Sequence, residues 1–401
     1  MSVVLVVNSG SSSLKYQLID MTSEATLGIG RIERIGEAMA ILVHKQGDLK
    51  HEWQEVVVNH DAAFEHMLAS FEKYGPSLYD NPPAAVGHRI VQGARRFFGP
   101  TLVDGEVEQA IEELIPLAPL HNAANLAGIR GARRVFATIP HVAVFDTAFH
   151  TTMSDSNSLY AIDREVAKEF RIRKYGAHGT SHKYVAEQAA AYLGIPLRLL
   201  RIVVMHVGNG ASACAVDGGK SVDTSMGMTP LEGLVMGTRS GNIDPAVMFH
   251  LHRKGGYTVD QLDELLNRKS GLLGLTGTND VRDIIERVEA GDERARVGLD
   301  VYIQRLRHYL GAYLVQLGGG EVIVWTAGVG ENSAEVRRRT CEGLEWLGVE
   351  LDPDRNNAAG DGIREISTDG SRVRVLVVPT NEELEIARQT LETVSAPSPM
   401  H

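Results

Sequence analysis

The chain has little cysteine, no long apolar run and no surplus of positive charge, and each shortage excludes something. Two cysteines in 401 residues, Cys214 and Cys341, are too few for a disulfide framework and suit a reducing, cytoplasmic setting. No apolar segment reaches membrane-spanning length, and the opening run Val3–Val7 is too short for a signal-peptide core, so no membrane partner is expected. A formal net charge of −11 argues against nucleic acid as the main partner. The densest basic cluster, Arg337-Arg338-Arg339, reads as the solvated face of a helix. No linker rich in Pro, Gly or Ser marks a domain boundary, and only the tail Ser395–His401 is expected to be disordered.

What is present is an ordinary globular composition, 43% apolar and 23% charged, over a length that suits two or three domains. Strand-like runs (Ala85–Val86, Val142–Phe145, Ile202–His206, Val322–Trp325, Val373–Val378) alternate with helical patterns. The helical patterns cover Lys183–Tyr192, Val259–Asn267, Ala295–Leu317, Ala334–Trp346 and Glu382–Val394, and the alternation predicts an α/β fold.

The opening, VVLVVNSGSSSLKYQLID, predicts two strands, Val3–Val7 and Leu14–Ile19, with Gly10 to Ser13 at the hairpin tip and Lys15 close behind. Backbone N–H groups, three hydroxyls and one cation suit an anion such as phosphate, although an ordinary Ser/Gly turn has the same composition. The pattern returns in Ile202–Lys220, IVVMHVGNGASACAVDGGK, which predicts two related domains, each presenting a hairpin loop to one polyphosphate. Gly208–Ala213 fits G-x-G-x-x-A, but a strand rather than a helix follows, so a hairpin is expected instead of a dinucleotide fingerprint. Cys214 stands where a Walker A loop needs its first glycine, and protein-kinase signatures are missing. A third glycine loop, Gly328–Ser333, precedes a helix from Ala334 that Asn332 or Ser333 can cap, exposing N–H groups for a phosphate or ribose hydroxyl.

Phosphoryl transfer asks for positioning, a divalent cation and positive charge. Arg89 in VGHRIVQG and Arg239 in GTRSGNIDP sit in loop-like settings, and their planar forks suit phosphate and carboxylate alike. His178 lies just before a helix expected to start near Ser181 or His182, capped by Thr180 or Ser181. That position at the positive end favours a neutral imidazole donor. His182 is expected to face solvent, while His206 reads equally as structural or ligand-facing. Asp146 ends a strand, where carboxylates commonly face clefts. Thr380 and Glu383 have capping-box spacing, which leaves Glu382 as the freer carboxylate for magnesium, held through water.

These motifs resemble one family, acetate kinase within the acetate and propionate kinase group. The matching stretches are NSGSSSLKYQLID, GHRIVQG, PLAPLHN, FDTAFH, YGAHGTSH, HVGNGAS, MTPLEGLVMGTRSGNIDP, TAGVGENS and PTNEEL, spanning positions 8 to 384. The resemblance implies an α/β fold of two ribonuclease-H-like domains, shared with sugar kinases, Hsp70 and actin, with an interdomain cleft. It implies a discontinuous N-terminal domain, 1–148 plus 383–401, closed by the last helix, and a nucleotide-binding domain, 149–382. It also implies a cytoplasmic homodimer that uses ATP with Mg²⁺ (Mn²⁺ as an alternative) to convert acetate reversibly to acetyl phosphate and ADP.

Carried over by position, the resemblance makes Asp146, Arg89, Arg239 and His178 catalytic, with Arg89 also flanking the carboxylate. Val91, Leu120 and Pro230 line the acyl pocket. Ser11, Ser13 and Lys15 form the first phosphate loop, and His206, Val207, Gly208, Asn209 and Gly210 the second. Asp280, Val281 and Arg282, with Gly328, Val329, Gly330, Glu331 and Asn332, bind adenosine, while Asn8 and Glu382 serve the metal. Three positions depart from the family pattern: Gln92 for His, Asn242 for Asp, and Ala177 for the Phe that helps close the acyl pocket. The missing ring leaves room for a methylene or more, each worth about 0.8 kcal/mol on burial, so propionate or butyrate remains an alternative acceptor. A more distant alternative is an actin-like or chaperone ATPase. Arg89, Arg239 and His178 together, and the absence of a module after the nucleotide domains, stand against it.

Overall fold

The computed structural model describes residues 2–396, the side chain of Leu120 excepted; residues 397–401 of the tail expected to be disordered lie outside the described residues. The chain divides into two compact units, 1–149 with 381–401 and 150–380, so Glu382 belongs to the first.

The first unit begins with an antiparallel run, β1 (Val3–Gly10), β2 (Ser13–Asp20), β3 (Ala25–Glu33), β4 (Ala40–Gln46) and β5 (Leu49–Glu55). Then come β6 (Pro83–Ile90), the short β7 (Thr101–Leu102) and β8 (His141–Phe145), in the spatial order β5-β4-β3-β2-β1-β6-β8-β7. β6 runs parallel to β1, and β8 parallel to β6. Residues Val3 to Val7 are all buried because both faces of the sheet are covered. Helices His60–Tyr74 and Pro119–Val135 lie over the face carrying Leu5 and Val7. The last helix, Glu382–Ser395, packs on β6, β8 and β1 from the face shared by Val6 and its register partner Gly87. A methyl at Gly87 would meet Thr390 Oγ1 and, at 2.9 Å, Ile386 Cγ2, so the helix approaches that closely only over glycine.

The second unit repeats the plan. Strands β9 (Arg201–Val207), β10 (Ala211–Asp217), β11 (Lys220–Thr224), β12 (Val322–Thr326), β13 (Arg364–Glu365) and β14 (Arg374–Val377) stand in the order β11-β10-β9-β12-β14-β13. β9 and β10 form an antiparallel hairpin, and β12 runs parallel to β9, as β6 does to β1. The order β3-β2-β1-β6-β8 therefore matches β11-β10-β9-β12-β14, the ribonuclease-H-like arrangement in duplicate. Helix Glu293–Gln316 buries Leu299, Tyr302, Leu306 and Leu310 against Val203, Met205 and Ala213, and helix Gly179–Leu193 also packs on β9 and β12. Among the described residues no helix is long and apolar enough to cross a membrane.

Several local expectations change. β1 and β2 extend through Gly10 and from Ser13, so their ladder absorbs both, and only Ser11 and Ser12 remain as the tip. The helix from Ala334 stops at Cys341 rather than running to Trp346. Within it Arg337 is 1% exposed, not solvated: the turn that shows Arg338 to solvent points its neighbour inward. Asn381, not Thr380, caps the last helix by accepting from Leu384 N–H at 3.0 Å, because the Thr380 hydroxyl is taken by Ser181 Oγ at 2.8 Å.

Candidate active site

In the first unit Arg89 lies within β6 rather than in a loop, and Asp146 follows β8 directly, with its N–H bonded to Ile90 C=O at 2.8 Å. Parallel pairing brings the two strand ends side by side. The Arg89 fork donates to Asp146 through Nε at 3.2 and 3.1 Å and Nη2 at 2.8 Å, and Nη2 stands 3.4 Å from Glu382 Oε2. Burial alone would lower the Arg89 pKa, but the carboxylates of Asp146 and Glu382 outweigh it and hold the guanidinium firmly charged. Glu382 Oε2 is buried and accepts no hydrogen bond from the described residues.

Two buried asparagines shape this corner, and the sequence reading assigned them no role. Asn125 Oδ1 accepts from Val91 N–H at 3.0 Å, while its amide donates to Ser9 C=O at 2.7 Å. Asn122 does the same for the backbone N–H and C=O of Gln92, at 3.0 and 2.9 Å. The ends of β1 and β6 are thus tied through one helix, Pro119–Val135. The exchange of His for Gln at position 92 is accommodated locally, since Gln92 Oε1 accepts from Ala94 N–H at 2.9 Å. Asn8 and Lys15 pair across the hairpin and line a cavity of about 270 Å³ with Arg31, Lys45 and Glu383. Arg31 and Lys45 escaped sequence reading because only strand register brings them beside Lys15. Ser11 is exposed and Ser13 and Val91 are half-buried.

In the second unit His178 is itself the N-cap of helix Gly179–Leu193, in the left-handed region at φ 57°, so the helix starts two residues earlier than expected. A non-glycine residue there carries strain of order 1 kcal/mol. The earlier start turns His182 inward: it is fully buried, not solvent-facing, with Nε2 2.8 Å from Ser212 Oγ. His178 Nδ1 is 2.9 Å from the same oxygen, and its ring stacks on His206 at 4.2 Å. His206 Nδ1 is 2.8 Å from Ser181 Oγ.

Arg239 lies in an irregular segment and, among the described residues, reaches only the Pro230 carbonyl, at 3.4 Å, and Met236 Sδ, at 3.7 Å. Among the described residues no carboxylate is recorded as its partner, and burial lowers its pKa. A methyl built on Gly210 would sit 3.6 Å from Arg239 Nη1 and 3.7 Å from His178 Nε2, so both donors converge on the hairpin tip. Asn209 fixes that tip: its carbonyl accepts from Gly237 N–H at 2.9 Å and its Oδ1 from Asn279 at 3.0 Å. Asn242 accepts from Gly233 N–H at 2.8 Å and donates to the Tyr309 hydroxyl at 2.7 Å, a structural task.

Beside the tip lies a cavity of about 760 Å³ whose lining brings together Gly208, Asn209, Asp280, Val281, Arg282, Gly328, Val329 and Asn332. Asp280 caps helix Val281–Glu289 and binds Arg282 in a fork at 3.0 and 2.5 Å, the latter holding its carboxyl down at about 2. The expected loop Gly328–Ser333 is instead largely a short helix, Ala327–Asn332, and Ser333 caps the next by accepting from Val336 N–H at 3.3 Å. Glu331 folds back onto its own turn, accepting from Ala327 N–H at 2.8 Å and Thr380 N–H at 3.2 Å. Arg337 braces this turn from beneath, donating to the carbonyls of Gly330 and Glu331, both at 2.9 Å, and to Asn356 Oδ1 at 2.8 Å. A cation buried in a helix is not distinguishable by composition from its exposed neighbours. Val207 and Gly330 are buried, Pro230 stands beside Arg239, and the Leu120 side chain lies outside the described residues.

Duplicated units of this strand order, one bearing a fork-clamped arginine and the other a glycine hairpin flanked by an arginine without a carboxylate partner, define a phosphotransferase of the ribonuclease-H-like class. The chain belongs to the Acetokinase family, whose model matches residues 3–388. It is 59% identical to acetate kinase of Leifsonia xyli subsp. xyli over 396 residues, 99% of this chain and 100% of that protein. Acetate kinase of Streptomyces coelicolor is 53% identical over 98% of this chain and 97% of that protein. The crystal structure of Porphyromonas gingivalis acetate kinase aligns with a TM-score of 0.94 at 40% identity, covering 98% of this chain and 100% of that one. A propionate kinase from Francisella tularensis subsp. tularensis aligns at 0.90 and 38% identity, with 98% and 100% covered.

Proposed function

We propose that the protein is an acetate kinase that transfers the γ-phosphoryl group of ATP directly and reversibly to acetate. An acetate oxygen forms the new bond to phosphorus as the β,γ-bridging P–O bond breaks, giving acetyl phosphate and ADP. A carboxylate is already a nucleophile at neutral pH, so no general base is required. The observation that carries the reading is the convergence on Gly210 of His178 Nε2 and the Arg239 guanidinium, for which no carboxylate partner is recorded among the described residues. The nucleoside fits the cavity beside it, with the phosphates along the Gly208–Gly210 turn. Arg239 and His178 meet the charge spread over the transferring oxygens, the largest catalytic term expected. Arg89, oriented by Asp146, serves the acetate carboxylate, and Val91, Leu120 and Pro230 its methyl group.

Among the described residues no group of three or more His, Cys, Asp or Glu side chains could hold a metal. Glu382, whose Oε2 accepts no hydrogen bond from the described residues, and Asn8 would be the protein donors to Mg²⁺, with Mn²⁺ as a substitute. When bound, such an ion would supply charge neutralisation on the phosphates. The family reading also carries a homodimer in the cytoplasm. Ala177 keeps propionate in view as a larger acceptor, although its side chain is 3% exposed within the core of the second unit.

ADP release measured with acetate, propionate and butyrate side by side tests the reading. Acetate is expected to give the highest kcat/KM, and no acid-dependent release would overturn it. Ala177→Phe is expected to raise the acetate-to-propionate ratio, and an unchanged ratio would show that another residue sets acceptor size.

A further inference from the structure

Four histidines, 150, 178, 182 and 206, collect in the second unit. Behind His178, the His182 ring lies 5.6 Å from His150 and 6.0 Å from His206. Ser212 Oγ, fully buried, stands between His178 Nδ1 at 2.9 Å and His182 Nε2 at 2.8 Å. A hydroxyl has one proton, and among the described residues the Ser212 hydroxyl has no partners but these two rings, so one ring accepts that proton and the other donates to the oxygen. Burial pushes His182 well below the ordinary histidine range, which keeps that ring neutral. Its Nδ1 is buried and has no hydrogen-bond partner among the described residues. Were His182 the acceptor, its proton would sit on Nδ1 as a buried N–H without an acceptor, the more costly defect. The arrangement free of that defect runs from His182 Nε2–H to Ser212 Oγ, and from the Ser212 hydroxyl to His178 Nδ1. The single proton of His178 then resides on Nε2, the nitrogen that faces Gly210 and Arg239.

We propose that His182 and Ser212 are positioning residues that hold the proton of His178 on Nε2, where it donates to the anion beside Arg239. This rests on the functional reading above for its consequence, but not for the tautomer itself. His150 shows the same device: its Nε2 must donate to the Ala177 carbonyl at 3.0 Å, which leaves Nδ1 to accept from Ser221.

The test is ¹⁵N NMR of the full-length protein labelled at histidine, without substrate at neutral pH, with His178→Gln and His182→Gln used to assign resonances. Both rings are expected to show a protonated Nε2 and a bare Nδ1; a protonated Nδ1 on either overturns the proposal. In Ser212→Ala and His182→Leu, kcat is expected to fall about three- to tenfold with KM for ATP and acetate unchanged, and the His178 shifts to move towards a tautomer average. His182→Gln, whose amide still donates to Ser212, is expected to recover most of kcat. Wild-type kcat in Ser212→Ala, or no recovery in His182→Gln relative to His182→Leu, counts against it. A wild-type protein inactive on every acid would sink the functional reading and leave the tautomer result standing.

Discussion

Replacing Arg239 separates activity from stability in a way few active-site changes do. Its two contacts, 3.4 Å to the Pro230 carbonyl and 3.7 Å to Met236 Sδ, lie at the long limit for hydrogen bonds and contribute little to the resting fold. Burial without a carboxylate makes the charge a cost, in the direction its lowered pKa records. Arg239→Ala is therefore expected to leave Tm unchanged or raise it. The loss appears in the reaction, where two charge-assisted hydrogen bonds of about 1.5–3 kcal/mol each disappear, about two to four orders of magnitude in kcat. Arg239→Lys keeps the charge and loses the fork, so a fall of about one to two orders is expected. Coupled ADP release and a thermal melt on the same preparations decide the matter. Near-native kcat in the lysine variant, or a marked drop in Tm with kcat preserved in the alanine variant, would refute the reasoning.

Asn125→Leu strips partners from Val91 N–H and Ser9 C=O, so stability is expected to fall by about 1–3 kcal/mol for each group left unpaired, with a parallel loss in kcat/KM. Urea denaturation with steady-state kinetics would show it, and a stable, active variant would mean the two strand ends hold themselves. Arg337→Met removes the brace under Gly330 and Glu331 and is expected to raise KM for ATP more than for acetate. Equal shifts in both KM values would place its effect elsewhere. Burial lowers the His150 pKa to about 4, and His182 and His88 are lowered further. The unfolded chain therefore takes up protons first as pH falls, and stability is full above about pH 6.5 and lost towards pH 4, about 3 kcal/mol from His150 alone. The urea midpoint should drop between pH 7 and 5, and drop less in His150→Gln; a midpoint flat over that interval would contradict the burial argument.

The sequence made the twin hairpins legible because β1 and β9 are β-branched runs buried on both faces, a pattern that needs no knowledge of partners. It also marked Arg89, Asp146, His178 and Arg239, each beside a turn or a strand end. It was silent on β3 to β5, where segments such as LKHEWQE form an exposed edge without an apolar face. It misjudged His182 because its helix begins two residues earlier than expected, which rotates the side chain from water to core, and Arg337 because one arginine of three in a correctly placed helix turns inward to backbone carbonyls. Asn122 and Asn125 were invisible as supports because their partners are backbone groups distant in the chain.

The closing helix of the first sheet, residues 382–395, leaves the ribosome after every strand of that sheet. Until residues 382–395 emerge, the groove over Gly87 stays uncovered while every strand on either side of it has long been made. During synthesis, then, the middle of the polypeptide can reach its mature form before the beginning can, and a nascent chain halted near position 380 would carry an open apolar seam for chaperones to find.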